Sequence, residues 1–244
     1  MDEIQKTKNY FPFVMGASLV LSFTIFGLFY YYAQSINTRD ILSVTGSAKA
    51  QVTSDQAKLV ISLSRMSLST ELSKTSDDIQ SDLLSVEKLL TSYGLDKKNF
   101  IETPLSINQI YDQNSTYNNK SYQLNQTIII QSDDVNKLTE ISKKIPSLSS
   151  GGSVIAVQSL EYYYSKLPDL RVSLLTEAVK DAKARAEKIA LGTGRSVGSI
   201  QTASAGVVQV LNRNSVDVSD YGNYDTSVIE KDVMVTVKAS FRLK

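Results

Sequence analysis

The spacing of hydrophobic residues predicts a strand followed by a helix near the start of the folded part. In residues 57–68 apolar and polar side chains alternate, which is typical of a strand with one buried face. In residues 72–93 apolar side chains recur at helical spacing, and Gly94 follows as a stop signal. We expect Thr70 to cap the start of this helix. The apolar face of the predicted strand consists of Leu59, Ile61 and Leu63.

The middle of the chain predicts two further strands and a second helix. Residues 101–111 and 122–131 have strand patterns, and the polar residues 112–120 form the loop between them. We expect Ser132 to cap a short helix that ends at Pro146, because proline cannot continue a helix.

A strand over residues 154–164 completes the order strand, helix, strand, strand, helix, strand, counted from residue 57. This β-α-β-β-α-β order is that of a ferredoxin-like unit, in which helices cover one face of an antiparallel sheet. Residues 41–53 precede the unit with a looser alternation. We therefore predict the α+β class, with helices packed on an antiparallel sheet.

The last third of the chain predicts a long helix and two strands. Pro168 opens the helix and Gly192 lies just past its end, the usual asymmetry of proline and glycine. Strands are predicted over residues 196–211 and 229–243, with the polar loop 212–227 between them. Small residues recur every four positions along the helix and would let it pack closely: Ala178, Ala182, Ala186 and Ala190.

The N-terminal segment predicts a membrane anchor, because residues 11–33 carry no charged side chain. As a helix they would span about 35 Å at ~1.5 Å per residue, enough to cross a hydrocarbon core of about 30 Å. We therefore predict a single-pass transmembrane helix, preceded by a short tail at 1–10 and followed by a linker at 34–42. The remaining residues, 43–244, form the predicted α+β domain.

A cleaved signal peptide is the main alternative for this segment. Signal peptides have apolar cores of about 7–15 residues, and cleavage needs a small residue where this chain has Tyr31, three positions before Gln34. A buried helix would need a second segment of comparable hydrophobicity, which the sequence lacks. Lysine and arginine are nearly balanced on the two sides, so charge does not fix the orientation.

The composition excludes several kinds of site. The net charge is +1, which offers no basic surface, and we expect no nucleic-acid partner. The chain has no cysteine, so disulfides and zinc–thiolate sites cannot form. It also has no histidine, which removes the commonest general base and the commonest metal ligand.

Two short motifs share only part of a known signature. The glycines of residues 192–198 close a helix and open a strand, the reverse of a dinucleotide-binding loop. Ser85 and Lys88 have the S-x-x-K spacing of penicillin-binding enzymes, but the partner triplets S-D-N and K-T-G are absent. We therefore expect neither a cofactor nor catalysis.

Paired carboxylates and a run of tyrosines are the remaining candidates. The pairs 77–78 and 133–134 are both Asp-Asp near predicted helix starts, where the helix dipole explains them, so we expect no metal. Tyrosine is favoured at interfaces, although part of such a run faces the core, and the candidate interface residues are Tyr162, Tyr163 and Tyr164. In a chain rich in Asn, Ser and Thr we attribute to chance the N-x-S/T triplets at Asn114, Asn119 and Asn125.

Three segments resemble the signatures of the SIMPL-domain family. Residues 43–57, S-V-T-G-S-A-K-A-Q-V-T-S-D-Q-A, are similar to its opening glycine, short strand and x-P-D-x-A. Residues 174–190 resemble its helix signature, A-x-x-D-A-x-x-K-A-x-x-(I/L)-A, and residues 194–200 resemble the G-x-x-(L/V)-G-x-(I/V) that follows. The chain departs from the family at Ser54, where proline is usual, and at Ser121, where glycine often stands before the tyrosine.

The resemblance implies a bacterial protein whose domain lies in the periplasm or outside the cell, here anchored in the inner membrane. It also implies a homo-oligomer, because family members form large ring-like assemblies, and some are linked to stress. No catalytic residues are established in the family, so none is transferred to this chain.

These inferences together give an expected function. We expect a membrane-anchored, extracytoplasmic and oligomeric envelope scaffold or stress-associated factor without catalysis. The alternative is a module that binds an envelope ligand (a small molecule, glycan or protein) through the polar loops 112–120 and 212–227. A hydrolase is disfavoured, because no nucleophile has a visible base.

Overall fold

The computed structural model describes residues 11–38, 40–111, 120–215 and 219–244. They form an α+β fold with two sheets and four α-helices. The helices are α1 (Phe11–Thr38), α2 (Leu72–Ser92), α3 (Val135–Lys144) and α4 (Leu167–Gly192). The strands are β1 (Ile41–Thr53), β2 (Gln56–Leu68), β3 (Phe100–Glu102), β4 (Ser106–Ile110), β5 (Ser121–Ser132), β6 (Ser153–Tyr163), β7 (Val197–Asn212), β8 (Asn223–Tyr224) and β9 (Glu230–Leu243).

The described residues group into two compact units. The smaller unit contains the residues up to Gly46 together with Val179–Ser204 and Val237–Lys244. The larger unit contains Ser47–Ala178 and Ala205–Thr236. Each unit has buried apolar clusters of its own.

The five-stranded sheet lies in the larger unit, in the order β3-β5-β2-β6, with β4 also paired to β5. These pairings are antiparallel. Along the central pair, Ala57 of β2 lies opposite Ser132 of β5, and Leu68 lies opposite Ser121. The start of β2 therefore lies beside the end of β5.

Helices α2 and α3 pack on one face of this sheet, the face that the alternation of β2 predicts. Leu59, Ile61 and Leu63 are fully buried, as expected. Each such side chain contributes about 1.5–3 kcal/mol when it is buried. They share one cluster with apolar side chains of α2, α3, β5 and β6, among them Leu83, Val86, Leu90, Ile128, Ile130, Leu138, Ile141 and Ile155.

Both predicted helix caps are wrong by one or two residues. Glu71, not Thr70, precedes α2, and it makes no side-chain cap hydrogen bond. The cap of α3 is Asp134, whose Oδ1 accepts a hydrogen bond from Lys137 N at 2.9 Å. Ser132 cannot fill this position because it is still part of β5.

Of the two predicted glycine stop signals, Gly94 is confirmed and Gly192 is wrong by two residues. Gly94 follows α2 with a φ of 73°, and Gly194 follows α4 with a φ of 72°, a backbone region in which glycine has no steric penalty. Beyond α4, Arg195 N donates back to Ala190 O at 2.9 Å, as in a Schellman motif. The residue that ends α4 is therefore Gly194, and the predicted stop at Gly192 is its last helical residue.

The single strand predicted over residues 101–111 is wrong, because it is two strands, β3 and β4. Pro104 lies between them and has no N–H group to donate to the ladder. Thr103, between the two strands, still bonds to β5: its N donates to Thr127 O at 2.9 Å, and its Oγ1 accepts from Thr127 N at 2.9 Å.

The four-stranded sheet has the order β1-β9-β7-β8. Strand β8 lies inside the segment 212–227 that was expected to be loop only, and it pairs in parallel with Gln209 and Val210 of β7. In the larger unit, Leu174 of α4 packs with Val210 of β7 and with Val233 of β9.

The alanine stripe of α4 is buried, as predicted. Ala182 and Ala186 are fully buried in the smaller unit, where they pack with Ala239 and Phe241 of β9. A methyl group at these positions lets the helix axis approach the strands closely, so the spacing of four is a packing feature.

Helix α1 is exposed along its described side chains, and Phe23 is 73% exposed. Among the residues whose side chains are described, no helix has the length and hydropathy needed to cross a membrane. The tail at 1–10 lies outside the described residues. Because α1 reaches Thr38 and β1 begins at Ile41, these elements occupy most of the predicted linker 34–42.

Candidate functional site

A polar cleft of about 770 Å³ opens in the larger unit where β2 begins and where β5 and β6 end. The antiparallel register creates it, because Lys58 lies opposite Gln131 of β5 and opposite Glu161 of β6. The volume is within the range of about 300–1,000 Å³ that is usual for small-molecule sites. The lining includes Gln56, Lys58, Asn99, Gln131, Asp133 and Tyr163.

Two carboxylates that directly precede α3 line the cleft, and they make different hydrogen bonds. Asp133 Oδ1 accepts a hydrogen bond from Gln56 Nε2 at 3.1 Å, so these two side chains hold each other in place. Asp134 caps α3, and its N donates to Ser132 Oγ at 3.0 Å. Capping commits Asp134 to the helix. Asp133 is therefore the carboxylate more available to a ligand.

Glu161 contacts both the ammonium group of Lys58 and the phenol group of Tyr163. Lys58 Nζ lies 3.7 Å from Glu161 Oε2, and Tyr163 Oη donates a short hydrogen bond to the same oxygen. This hydrogen bond lowers the pKa of Glu161 and raises the pKa of Tyr163 to about 12. At pH 7 Tyr163 is therefore a neutral phenol beside an ionised carboxylate.

The tyrosine run is divided between core and cleft. Tyr162 is 7% exposed, and its Oη lies 2.9 Å from Thr139 Oγ1, so it belongs to the core. Tyr163 lines the cleft, with its ring centre 5.9 Å from that of Tyr224. Tyr164 is half-buried, and its N donates to Tyr224 Oη at 3.2 Å. An interface role remains a prediction for Tyr163 and Tyr164.

A buried lysine, which the sequence motifs do not reveal, fixes the segment after β8. Lys231 is 1% exposed, and its Nζ donates a short hydrogen bond to Asp225 O. Burial lowers the pKa of Lys231, and the carboxylate of Asp225 acts in the opposite direction. The alternation of β9 contains the signal for this burial, because Lys231 has the same parity as the buried Val233 and Val235.

A bidentate ion pair that links α2 to β2 was also missed. Arg65 Nε lies 2.6 Å from Asp82 Oδ2, and Arg65 Nη2 donates to Asp82 Oδ1 at 2.9 Å. The third contact of the guanidinium is Gly151 O, at 3.0 Å from Nη1. This geometry matches guanidinium to carboxylate and supports a structural role.

The other sequence candidates have local structural roles or lie elsewhere. Ser85 is exposed on α2, and its Oγ donates to Ser81 O at 3.0 Å. Asp78 lies 3.9 Å from Arg65 Nη1, measured from its Oδ2. Within the described ranges, no three Asp, Glu, His or Cys residues are placed to hold a metal ion.

The three N-x-S/T triplets also differ in what the structure says of them. Asn125 lies on β5, opposite Ser64 of β2. Asn114 and Asn119 lie outside the described residues, as does most of the loop 112–120.

The comparisons with known proteins agree with the signatures in the sequence. A family model described as SIMPL, protein of unknown function (DUF541), matches residues 42–241. No curated protein matches the chain. In the first signature, Asp55 accepts hydrogen bonds from Ser165 N at 2.7 Å and from Ser165 Oγ at 2.6 Å, and in the helix signature the alanines form the buried stripe. The match covers most of the chain, and the protein therefore belongs to the SIMPL family.

Proposed function

We propose that the protein is a membrane-anchored SIMPL-domain protein whose copies associate outside the cytoplasm into an envelope scaffold or stress-associated factor, without catalysis. The observation that carries this proposal is strand β7, in which residues 199–207 are all exposed. Side chains on both faces of a strand are exposed together only where nothing packs on either face. Such a strand has surface available for a partner.

Strand β7 also has an open edge. It pairs with β9 on one side, and on the other side β8 reaches only Gln209 and Val210. In the part of the chain that the structure describes, no strand pairs with this edge over residues 199–207. Natural sheets protect such edges with charged residues or proline, yet Val197–Asn212 contains neither. An uncharged edge of this length favours pairing with another strand.

A second copy of the chain is the partner that this edge fits best. Two identical edges without charged side chains do not repel each other electrostatically. In a two-fold arrangement, the N–H and C=O groups of each edge bond to those of the other. The family resemblance also supports a second copy as the partner; because a two-fold pair closes as a dimer, the ring-like assemblies that the resemblance implies need a further, head-to-tail contact.

The proposed anchor is helix α1. Support comes from its exposed apolar side chains, such as Phe26 and Phe29, and from the absence of charge over residues 11–33. The family resemblance supports a domain in the periplasm or outside the cell. An alkaline phosphatase fusion after Lys244 tests this side of the membrane, because the enzyme is active only outside the cytoplasm; an inactive fusion would reverse the topology.

We also interpret residues 56–163 as a ferredoxin-like unit. The antiparallel order β3-β5-β2-β6, with one helix after β2 and another after β5, supports this interpretation.

The alternative function, ligand recognition through the loops 112–120 and 212–227, remains a hypothesis. Residues 112–119 and 216–218 lie outside the described residues. Of the rest, Ser219 N lies 3.5 Å from Gln209 Oε1, so this part of the second loop is attached to β7.

Light scattering on the full chain in detergent tests self-association. We expect an assembly of fixed size that EDTA does not change, because the pairing groups are backbone amides. Thr202→Lys, in the middle of the exposed run, places like charges near each other across the paired edges and should shift the protein to smaller species. Thr176→Lys, on the exposed side of α4, is the matched control and should leave the size unchanged.

A charge exchange tests whether the same edge contributes from both copies. Thr202→Lys and Thr202→Glu should each reduce assembly alone, and mixing the two should restore it through opposite charges. A wild-type chain that is folded and monomeric at micromolar concentration would contradict self-association. An assembly unaffected by either Thr202 variant would place the interface away from β7.

A further inference from the structure

We infer that the cleft at the start of β2 binds a neutral saccharide of one or two sugar rings. This inference is independent of the proposed self-association, since the cleft and β7 share no residues. It rests on the charge of the lining, the type of hydrogen-bonding groups and the commitment of those groups to one another.

The charge of the lining argues against an anionic ligand. Lys58 is the cation among the lining residues, and its ammonium already lies 3.7 Å from Glu161 Oε2. Two carboxylates, Asp133 and Asp134, line the same cleft. A phosphate or a carboxylate ligand would therefore meet more negative than positive charge.

The hydrogen-bonding groups mix donors and acceptors, as a polyhydroxylated ligand requires. Each sugar hydroxyl both donates and accepts, and so it is best matched by amides and by carboxylates that lie next to donors. Gln56, Asn99 and Gln131 supply three amides, and Asp133 supplies an acceptor beside the amide of Gln56. A ligand without hydrogen-bonding groups, such as an alkyl chain, would leave these amides and this carboxylate unpaired.

Several of these groups are held in place before any ligand arrives. Asn99 Oδ1 accepts from Asp96 N at 2.9 Å, which leaves the NH₂ of Asn99 as its donor. Gln56 and Asp133 hold each other at 3.1 Å. Fixing side chains in advance reduces the entropy that is lost on binding.

Tyr163 supplies an aromatic ring to the same cleft. Its hydroxyl is committed to Glu161, so the ring is the part that it offers to a ligand. The C–H face of a sugar ring packs on an aromatic ring as other apolar surfaces do. Amides, a carboxylate and one ring together match a saccharide better than a nucleotide, whose phosphate would meet the two carboxylates of the lining.

Saturation-transfer NMR on the full chain tests the inference, because it detects weak ligands even on large assemblies. The probes are N,N′-diacetylchitobiose and maltose, and the detergent is a phosphocholine, since a glucoside or maltoside detergent would compete. We expect transfer to at least one of the two disaccharides, with a dissociation constant in the millimolar range.

Two glutamines on one strand provide the variant and its control. Gln131 and Gln123 are both exposed on β5 and, eight residues apart, lie on the same face of the sheet, but Gln131 lines the cleft, whereas Gln123 pairs with Ser64 at 3.2 Å. Gln131→Ala should weaken binding about fivefold, the loss of roughly one hydrogen bond, and Gln123→Ala should not change it. Asp133→Asn, which keeps the shape, should also weaken binding.

Three results would overturn the inference. They are the absence of transfer from both disaccharides, equal weakening by the Gln131 and Gln123 variants, and transfer only from a cationic peptide such as trilysine. Self-association is measured separately by light scattering, so failure of either proposal is visible without the other.

Discussion

At the scale of single residues, Asp55 shows what the first family signature does in the structure. Its carboxylate accepts two hydrogen bonds from Ser165, which lies between β6 and α4. Burial alone would raise the pKa of Asp55, but the hydrogen bonds from Ser165 and the charge of Lys166 lower it below its ordinary value. The aspartate therefore ties the start of β2 to the start of α4.

Asp55→Ala should destabilise the protein by about 1–2 kcal/mol, because it removes two hydrogen bonds to a charged group. Asp55 is partly exposed, so this figure is lower than it would be for a fully buried carboxylate. Because the folded-state pKa is lowered, the stabilisation is present above the ordinary aspartate pKa of about 4 and is lost as the pH falls through the folded value. Urea midpoints at pH 7 and pH 3 check this: the difference from wild type should shrink at pH 3. Asp77→Ala, on the exposed side of α2, is the control and should cost less than about 0.5 kcal/mol.

Two glutamates, Glu102 and Glu87, should make the stability of the protein depend on pH in the opposite direction. Burial raises the pKa of Glu102, and its hydrogen bond to Glu87 and the charge of Glu87 raise it further. Burial also opposes ionisation of Glu87, but Lys97 Nζ at 2.8 Å and the hydrogen bond with Glu102 lower its pKa. Ionised Glu102 therefore costs stability at neutral pH, and this cost disappears below about pH 4, where Glu102 is protonated in both states.

Glu102→Gln should raise the melting temperature at pH 7, because the amide can still donate to Glu87 without adding a second charge. The gain should vanish at about pH 4. Glu87→Gln is the paired control and should lower the melting temperature at pH 7, since it replaces the ionised partner of Lys97 with a neutral amide. If both variants shift the melting temperature in the same direction, Glu102 and Glu87 do not have opposite effects on stability.

These residue-scale features could not be predicted from the sequence alone. Asp82 is an acidic residue among the buried positions of α2, and only the packing of α2 on β2 brings it within 2.6 Å of Arg65. Likewise, nothing in the spacing of Glu87 and Glu102 shows that they meet. Lys231 is the exception, because the parity of β9 places it on the buried face.

At the scale of elements, the alanine stripe of α4 is the feature that the sequence predicts best. Ala182 is fully buried among Ala239 and Phe241, whereas the neighbouring Lys183 is exposed. Ala182→Leu should overpack this contact and cost about 1–3 kcal/mol. Lys183→Ala should change stability by less than about 0.5 kcal/mol. Denaturant midpoints measure both, and equal midpoints for the two variants would show that the stripe does not face the strands.

Periodicity predicted the elements where one face is buried and the other is solvated. Strand β2 and helix α2 are of this kind, and both were predicted within about one residue at each end. The prediction failed where a single residue interrupts a pattern, as Pro104 does between β3 and β4. It also gave no warning that β7 is exposed on both faces over residues 199–207, because a strand pattern does not show whether anything packs on it.

At the scale of the whole molecule, the register of the strands explains why the cleft was not predicted. Its lining comes from the start of β2, the end of β5, the two residues before α3, the end of β6 and Asn99, which precedes β3. These segments are far apart in the sequence, except that residues 131–134 connect β5 to α3, and no sequence motif links them. The cleft therefore forms only when β2 pairs with both β5 and β6. From the sequence, Asp133 was considered only for metal binding and Tyr163 only for an interface.

The proposed anchor and the proposed pairing of β7 edges should act together. Copies that are held in one membrane have a higher effective concentration than copies in solution, so a weakened interface can still form there. Thr202→Lys should therefore abolish assembly of residues 40–244 in solution and only reduce it for the full chain in vesicles. Energy transfer between two populations of full-length protein, labelled with donor and acceptor, measures association as lipid is added. The transfer should fall on dilution with lipid, and more steeply for Thr202→Lys than for wild type or for the control Thr176→Lys. For Thr202→Lys, transfer that does not depend on the lipid-to-protein ratio would show that residues 11–33 do not concentrate the copies in a membrane.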